Sequence, residues 1–159
     1  MKVAIQGEAA SFHDVAAHEF FGDEIELVCC STFADAFAAL DSGKADAAIL
    51  AVENSNHGPI QETLDLLAAT KPTVLGEVTL AIHQQLIGLP GSTLADITEV
   101  HSHPVALSQC SVFLDQALPH AKRVKNPDTA GAAADIYAWD KPNRAAIASK
   151  AAADLYGLQ

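Results

Sequence analysis

Short apolar runs typical of buried strands alternate along this chain with alanine-rich stretches of helical periodicity. In the first half, strand-type runs cover residues 2–6, 25–30 and 47–52, and helical stretches follow them at 12–21, 33–40 and 60–69. Parallel strands are normally joined through a crossover helix, so this alternation predicts βαβ units and a mainly parallel sheet.

Residues with strong positional preferences mark the ends of these helices. Ser31 and Thr32 precede the second helix as N-cap candidates, and Asp41, Ser42 and Gly43 predict where it stops. Pro59 is expected in the first turn of the third helix, where the N–H that proline lacks is not needed.

A β-type stretch over residues 73–89 interrupts the alternation, and a second series follows it. That series predicts strands at 99–102, 123–125 and 144–149 and helices at 104–118, 129–139 and 151–156. We therefore expect an α/β protein of two small lobes, about 1–78 and about 79–159, that share an interface. A cleft between two such lobes is the natural place for a small ligand.

Composition and charge narrow the classes of function. Half of the 159 residues are apolar, which is enough for a core without metal or disulfides, and the formal net charge of −11 disfavours nucleic acid as a partner. No apolar run approaches the roughly 20 residues of a membrane helix, so we expect a cytoplasmic protein without a membrane partner. Cys29, Cys30 and Cys110 lack metal-type spacing and are interpreted as reduced thiols, with adjacent Cys29 and Cys30 on opposite faces of a strand.

Three polar clusters follow predicted strands, at the edge of the sheet where ligands of open α/β folds gather. The first runs from Gly7 to Phe12 and contains Ser11; the second is Glu53-Asn54-Ser55, followed by Gly58; the third is Ser102-His103-Pro104, which opens the helix that carries Gln109.

Each cluster also has a structural interpretation. Ser11 and His103 could be helix caps, and Glu53-Asn54-Ser55 could be a solvated loop, although a glutamate that ends an apolar strand is costly to bury without a partner. Gln109 follows Ser102 by seven residues, so both could lie along one side of a helix that begins at Ser102, but a glutamine on a helix face is more often solvated.

Other chemistry finds little support in the sequence. The remaining histidines show no i, i+4 pair of the kind that binds zinc; they are His13, His18, His57, His83, His101 and His120. Phosphate-loop, dinucleotide-binding and serine-hydrolase motifs are absent from the sequence, so a nucleotide cofactor is not indicated.

Taken in order, the three clusters resemble the motifs of the prephenate dehydratase family. That family has Gly-x-x-Gly-Ser/Thr-Phe/Tyr, matched by Gly7, Ser11 and Phe12 but with Ala10 at the second glycine. Further matches follow in the family's order over essentially the whole chain: Val52-Glu53-Asn54-Ser55 with Gly58, Gly76-Glu77, Ser102-His103-Pro104 with Gln109-Cys110, Asp128-Thr129-Ala130, Ala146-Ile147-Ala148-Ser149, and Tyr156-Gly157-Leu158.

The resemblance implies a fold of the periplasmic-binding-protein type II class and the conversion of prephenate to phenylpyruvate. It implies that Asn54, Ser102 and Gln109 are catalytic, contacting the substrate and steering its leaving hydroxyl. It further implies substrate-binding roles for Ser11 and Ser55 as donors to carboxylates, for Glu53 in orienting neighbouring donors, and for His103 in shaping the helix entry. Neither a metal nor an organic cofactor is implied, and we expect a homo-oligomer.

The family's presumed proton donor is a threonine in an Asn-x-Thr-Arg-Phe segment that comes after the Tyr-Gly-Leu helix. That segment and the regulatory domain that often follows it are not found in residues 1–159. The sequence therefore predicts a very poor dehydratase, since loss of general acid catalysis costs about 10²–10⁴-fold in rate. Two alternatives stay open: a truncated piece of a longer enzyme, and a non-catalytic binding module for a small carboxylate.

Overall fold

A computed structural model describes residues 1–56 and 58–159, and the backbone divides into two compact units, Met1–Leu80 and Ala81–Gln159. Each unit has a sheet of its own with helices packed on it, which confirms the predicted α/β class. No helix formed by the described residues combines the length and the apolar character needed to cross a bilayer.

In the first unit, a parallel sheet has the strand order β2-β1-β3, with helices between successive strands. Its elements are β1 (Lys2–Gln6), α1 (Phe12–Phe21), β2 (Glu26–Cys30), α2 (Phe33–Asp41) and β3 (Ala47–Ile49). Alternate residues of the central strand face opposite cores, with Val3 and Ile5 in the cluster of Ala17, and Ala4 in the cluster of Ala36. Helices therefore cover both faces of the sheet, as strand alternation requires.

The predicted ends of α2 are confirmed. Thr32 is its N-cap, with a reciprocal capping box in which Asp35 N–H donates to Thr32 Oγ1 at 3.1 Å and Thr32 N–H donates to the Asp35 carboxylate at 3.2 Å. The helix ends at Asp41 with Ser42 as C-cap. Local polar signals are sufficient to set these two boundaries.

The chain after β3 differs from the prediction. The strand expected to reach Val52 ends at Ile49, and a short antiparallel pair follows, β4 (Glu53–Asn54) with β5 (Gly58–Pro59). The expectation that Pro59 opens the helix was wrong, because Pro59 pairs with Glu53 in β5, and α3 (Gln61–Thr70) begins after Ile60. Proline is tolerated in a short edge strand, where its missing N–H is not required.

The β-rich stretch predicted over residues 73–89 was also largely wrong. Residues 71–84 form no regular structure, and only β6 (Gln85–Gly88) is a strand. Val74 and Leu75 are 73% and 68% exposed. Strand propensity measures fit to a pleated, half-buried surface, so apolar and β-branched residues do not form a strand where such a surface is not provided.

The second unit has a sheet of order β6-β9-β7-β8, in which only β6 runs antiparallel to its neighbour. The other elements are β7 (Glu99–Ser102), α4 (Pro104–Gln109), α5 (Ser111–Ala117), β8 (Lys122–Lys125), α6 (Thr129–Trp139), β9 (Arg144–Ala148) and α7 (Lys150–Tyr156). Four consecutive residues of β9, 145–148, are buried, as expected for an interior strand covered on both faces.

The single helix predicted over residues 104–118 is divided at Cys110, whose φ of −93° and ψ of 8° end α4 and begin α5. Leu107 of α4 and Leu114 of α5 nevertheless enter the same core cluster. The apolar period thus continues across the interruption, which is why the pattern alone did not reveal it.

Candidate functional site

The first cluster is the loop that connects β1 to α1. Ser11 is 7% exposed and is the N-cap of α1, where its Oγ accepts a hydrogen bond from Asp14 N–H at 3.3 Å. The loop bends through positive φ at Gly7 (102°) and at Ala10 (62°). Ala10 is the position where the family has its second glycine, and its left-handed backbone gives a physical reason for that glycine.

Several N–H donors of this loop are already used within the protein. Gly7 N–H donates to Cys30 O at 2.8 Å, Ala10 N–H to Asp14 Oδ2 at 2.6 Å, and Ser11 N–H to Glu8 O at 3.1 Å. Burial, followed by the nearby carboxylates of Glu8 and Asp14, raises the pKa of the Cys29 thiol. The loop therefore has acidic surroundings, and a bound carboxylate would depend on the remaining neutral donors, including the Ser11 hydroxyl.

The second cluster is at the β4–β5 pair. Asn54 is half-buried, while Glu53 and Ser55 are exposed, so the desolvation penalty that we considered for Glu53 does not arise. Asn54 Oδ1 accepts from Asn56 N–H at 3.0 Å, which leaves the Asn54 Nδ2 group as the donor that can face a ligand. His57, one of the scattered histidines of the sequence, lies outside the described residues.

His13 connects the first two clusters, a contact that the sequence analysis missed. Its Nε2 accepts from Ala51 N–H at 3.1 Å, and its ring meets that of Phe33 edge-on with centroids 5.8 Å apart. Burial lowers the pKa of His13, while a hydrogen bond with the Gln6 backbone acts in the opposite direction. One signal was present in the sequence: His13 precedes buried Ala16 and Ala17 by three and four residues, which places it on the inward side of α1.

The third cluster lies in the second unit, at the carboxyl end of β7. Ser102 is fully buried, and its Oγ donates to Ile147 O of β9 at 2.6 Å. His103 is the N-cap of α4, with its Nδ1 accepting from Val105 N–H at 3.2 Å, and Pro104 occupies the first turn. The structural interpretation of His103 as a cap is therefore confirmed.

Gln109 is half-buried at the last position of α4. The helical spacing proposed between Ser102 and Gln109 was wrong, because Ser102 belongs to β7 and the helix begins only at Pro104. Whether these two side chains contact the same ligand therefore stays a prediction.

Other motifs of the sequence occupy helix boundaries or tight contacts. Asp128 caps α6 by accepting from Gly131 N–H at 2.6 Å, and Ser149 caps α7 by accepting from Ala152 N–H at 2.9 Å. A Cβ added at Gly76 would lie 3.0 Å from the Phe20 ring, so the glycine permits a close approach. These motif residues have folding roles that need no ligand.

Within the part of the chain that the structure describes, no three His, Cys, Asp or Glu side chains form a group that could hold a metal ion. A cavity of about 380 Å³ is lined by residues that include Cys29, Cys30 and Asp35, and another of about 520 Å³ by residues that include Tyr137, Tyr156 and Leu158. None of the predicted site residues lines either cavity. All three thiols are free, and Cys29 is exposed while Cys30 is buried, as the strand alternation predicted.

The chain was compared with known families, proteins and structures. The prephenate dehydratase profile matches residues 3–159. A bifunctional chorismate mutase/prephenate dehydratase of Neisseria gonorrhoeae is 37% identical over 99% of this chain and 44% of its own length. Arogenate dehydratase 1 of Petunia hybrida is 40% identical over all of this chain and 37% of its own length.

Solved structures show the same fold. A prephenate dehydratase of Arthrobacter aurescens in complex with L-Phe is 29% identical with a TM-score of 0.90, over all of this chain and 54% of that one. GqqA, described as a novel type of quorum-quenching acylase, is 34% identical with a TM-score of 0.87, over all of this chain and 57% of that one. The fold is thus of the periplasmic-binding-protein type II class, and the chain spans about two fifths of the length of the curated relatives. Since the profile covers residues 3–159 and the motifs occur in the family's order, the chain belongs to the prephenate dehydratase family.

Proposed function

We propose that this chain is the prephenate dehydratase catalytic domain of L-phenylalanine biosynthesis. In that reaction prephenate loses its ring carboxylate as carbon dioxide and its ring hydroxyl, once protonated, as water, which leaves the aromatic ring of phenylpyruvate. The observation that carries the proposal is the family match over residues 3–159.

The chemistry asks for donors that hold two substrate carboxylates without a strong cation. A cation that stabilised the departing carboxylate would oppose its loss as neutral carbon dioxide, so neutral donors serve better in the transition state. The residues proposed for the site fit this demand, because Ser11, Asn54, Ser55 and Gln109 offer only hydroxyl and amide groups. Asn54 is the best placed of them, since the bond from Asn56 N–H fixes which end of its amide is free to donate.

Ser102 would take part differently from the role first expected. Its proton is committed to Ile147 O, so its Oγ could offer a ligand only an acceptor lone pair, for example to the leaving hydroxyl. We propose that Asn54, Ser102 and Gln109 each contact the substrate. Glu53 is exposed and is proposed to orient neighbouring donors, as His103 orients the start of α4. The mechanism invokes no cofactor.

The experiment measures phenylpyruvate formed from prephenate, phenylalanine formed from arogenate, and phenylpyruvate affinity by calorimetry. The variants are Asn54→Ala and, as a control, Asn56→Ala, which removes an exposed neighbouring amide side chain. We expect Asn54→Ala to weaken affinity by about 1–3 kcal/mol, as for a donor lost from a desolvated carboxylate site, and Asn56→Ala to leave it unchanged.

The outcomes separate the alternatives. Binding without product would favour the non-catalytic binding module. Product from arogenate but not from prephenate would identify arogenate as the substrate, as in the name of the petunia relative. Absence of both binding and product with all three ligands would refute the proposed function. Assembly into a homo-oligomer and location in the cytoplasm belong to the same proposal, and light scattering would test the first of them.

A further inference from the structure

We propose that His13 is a positioning residue, which holds the segment leading to Asn54 against the Ser11 end of α1 only while its imidazole ring is neutral. Its importance for catalysis rests on the proposed function, whereas the positioning itself does not.

The hydrogen bond from Ala51 N–H fixes the protonation of the ring. A backbone amide can only donate, and it lies 3.1 Å from His13 Nε2, so that nitrogen carries the lone pair. In the neutral ring the proton is then on Nδ1, and the Gln6 backbone, which acts to raise the pKa of His13, favours a proton on the ring. The Ala51 contact thus selects one tautomer of the neutral ring.

His13 joins α1 to the ends of two neighbouring strands, through its bond with Ala51 and its proximity to the Gln6 backbone. Gln6 is the last residue of β1, and Ala51 follows β3, which ends at Ile49. Edge-on packing against Phe33, the first residue of α2, restrains the ring from a third side. His13 therefore sets where the chain leaves the sheet on its way to β4.

The segment from Leu50 to Val52 leads from β3 to β4, and Leu50 packs against the core cluster of Ala4 and Ala36. Ile60 N–H donates to Val52 O at 2.9 Å, which closes the base of the β4–β5 pair but does not tie that pair to α1. The bond at Ala51 supplies this second connection, three residues before Asn54. Loss of the His13 acceptor would let the β4–β5 pair shift relative to Ser11.

Protonation removes this restraint. A second proton on Nε2 would oppose the Ala51 N–H donor-to-donor, so the bond must break. The groups that face the ring are the Gln6 carbonyl, the Ala51 amide and the Phe33 ring; burial is the main influence on the His13 pKa and lowers it, and no described carboxylate or ammonium group is among the causes of the shift. The neutral form is accordingly favoured at neutral pH, and acidification releases the segment.

The test follows the backbone amides of Ala51 and Asn54 by nuclear magnetic resonance between pH 8 and pH 5, in the wild type and in three variants. His13→Ala removes the acceptor, and His13→Gln keeps an acceptor of similar reach that does not titrate. His18→Gln on the same helix removes a histidine whose Nδ1 lies 2.7 Å from an Asp14 carboxylate oxygen, and it is the matched control for a histidine-to-glutamine replacement in α1.

We expect the Ala51 and Asn54 signals to move with pH in the wild type and in His18→Gln, and to be independent of pH in His13→Gln. His13→Ala should shift both signals at pH 8 and weaken phenylpyruvate binding about 5- to 30-fold, as for one lost hydrogen bond, whereas His13→Gln retains most of the affinity. If His13→Ala does not fold, His13→Gln alone decides the matter, since a pH response equal to that of the wild type would overturn the inference. If the wild type binds no ligand but its amides respond as described, the proposed function fails while the positioning role of His13 stands.

Discussion

Replacement of Ser102 by alanine separates its structural role from its proposed contact with substrate. Ser102 is fully buried, and its hydroxyl joins the end of β7 to Ile147 O in β9 at 2.6 Å. A hydrogen bond of this kind contributes about 0.5–1.5 kcal/mol, and leaving a buried carbonyl short of a partner raises the cost to about 1–3 kcal/mol. We expect Ser102→Ala to lower the free energy of unfolding by about that amount before any ligand is present.

The assay is urea unfolding followed by the fluorescence of Trp139, the sole tryptophan of the sequence, which lies at the end of α6 in the second unit. Because the chain forms two compact units, a probe inside the unit that carries the mutation is preferable to a global signal. Ser108→Ala, on the exposed side of α4, is the matched control and should change stability by less than about 0.5 kcal/mol.

Ligand affinity completes the Ser102 experiment. If the hydroxyl acts mainly as a tether between strands, prephenate affinity in the folded variant should fall little, and hydrogen exchange of the β7 and β9 amides should accelerate. Unchanged unfolding together with a large loss of affinity would refute this reasoning and return Ser102 to the catalytic contact that its motif first suggested.

Three further predictions concern stability. Ala10→Gly should stabilise the protein by about 0.5–1 kcal/mol, because glycine removes the strain of φ 62°, and an unchanged or lower urea midpoint would contradict this. Thr63 is 1% exposed and its Oγ1 has no hydrogen-bond partner among the described residues, so Thr63→Val should raise stability by about 1 kcal/mol in thermal unfolding; a loss would indicate a hidden partner. A hydrogen bond from His101, followed by the charge of Arg144, lowers the pKa of Glu99 below its usual 4.5. The contribution of Glu99 to the free energy of unfolding is therefore present above pH 4.5 and is lost as the pH falls further. Glu99→Gln should flatten this acid dependence of the urea midpoint.

Local signals predicted most of the regular structure. The bounds of α1, β7 and α6 agree with the expected 12–21, 99–102 and 129–139, because in each the apolar period and the flanking residues indicate the same limits. The error over residues 71–84 has another origin, because strand formation depends on pairing with distant segments, and a sequence window does not contain them. The error at Pro59 is local, because Pro59 pairs with Glu53, six residues before it, although proline is also common in the first turn of a helix.

The sequence predicted which residues belong to the candidate site, but it did not predict what each of them does there. Ser11, Asn54 and Gln109 were selected from motifs, yet the orientation of the Asn54 amide depends on the Asn56 N–H, and the protonation of His13 depends on Ala51, 38 residues away. Ser102 and Gln109 were related through a helical spacing that assumed the wrong starting residue. Roles depend on hydrogen-bond partners, and these are fixed only once the chain has folded.

The helix caps formed by Ser11, Asp128 and Ser149 are motif residues, so a relative of this fold that has lost its activity could still carry the family's motifs. Each of these motif residues satisfies an N–H at the start of a helix, and replacing such a cap by alanine typically costs about 0.5–2 kcal/mol. A descendant that lost its chemistry would still need them in order to fold. Their survival therefore reflects the requirements of folding. Evidence of retained turnover has to come from positions that do not cap a helix, such as the exposed Ser55 and the Nδ2 group of Asn54.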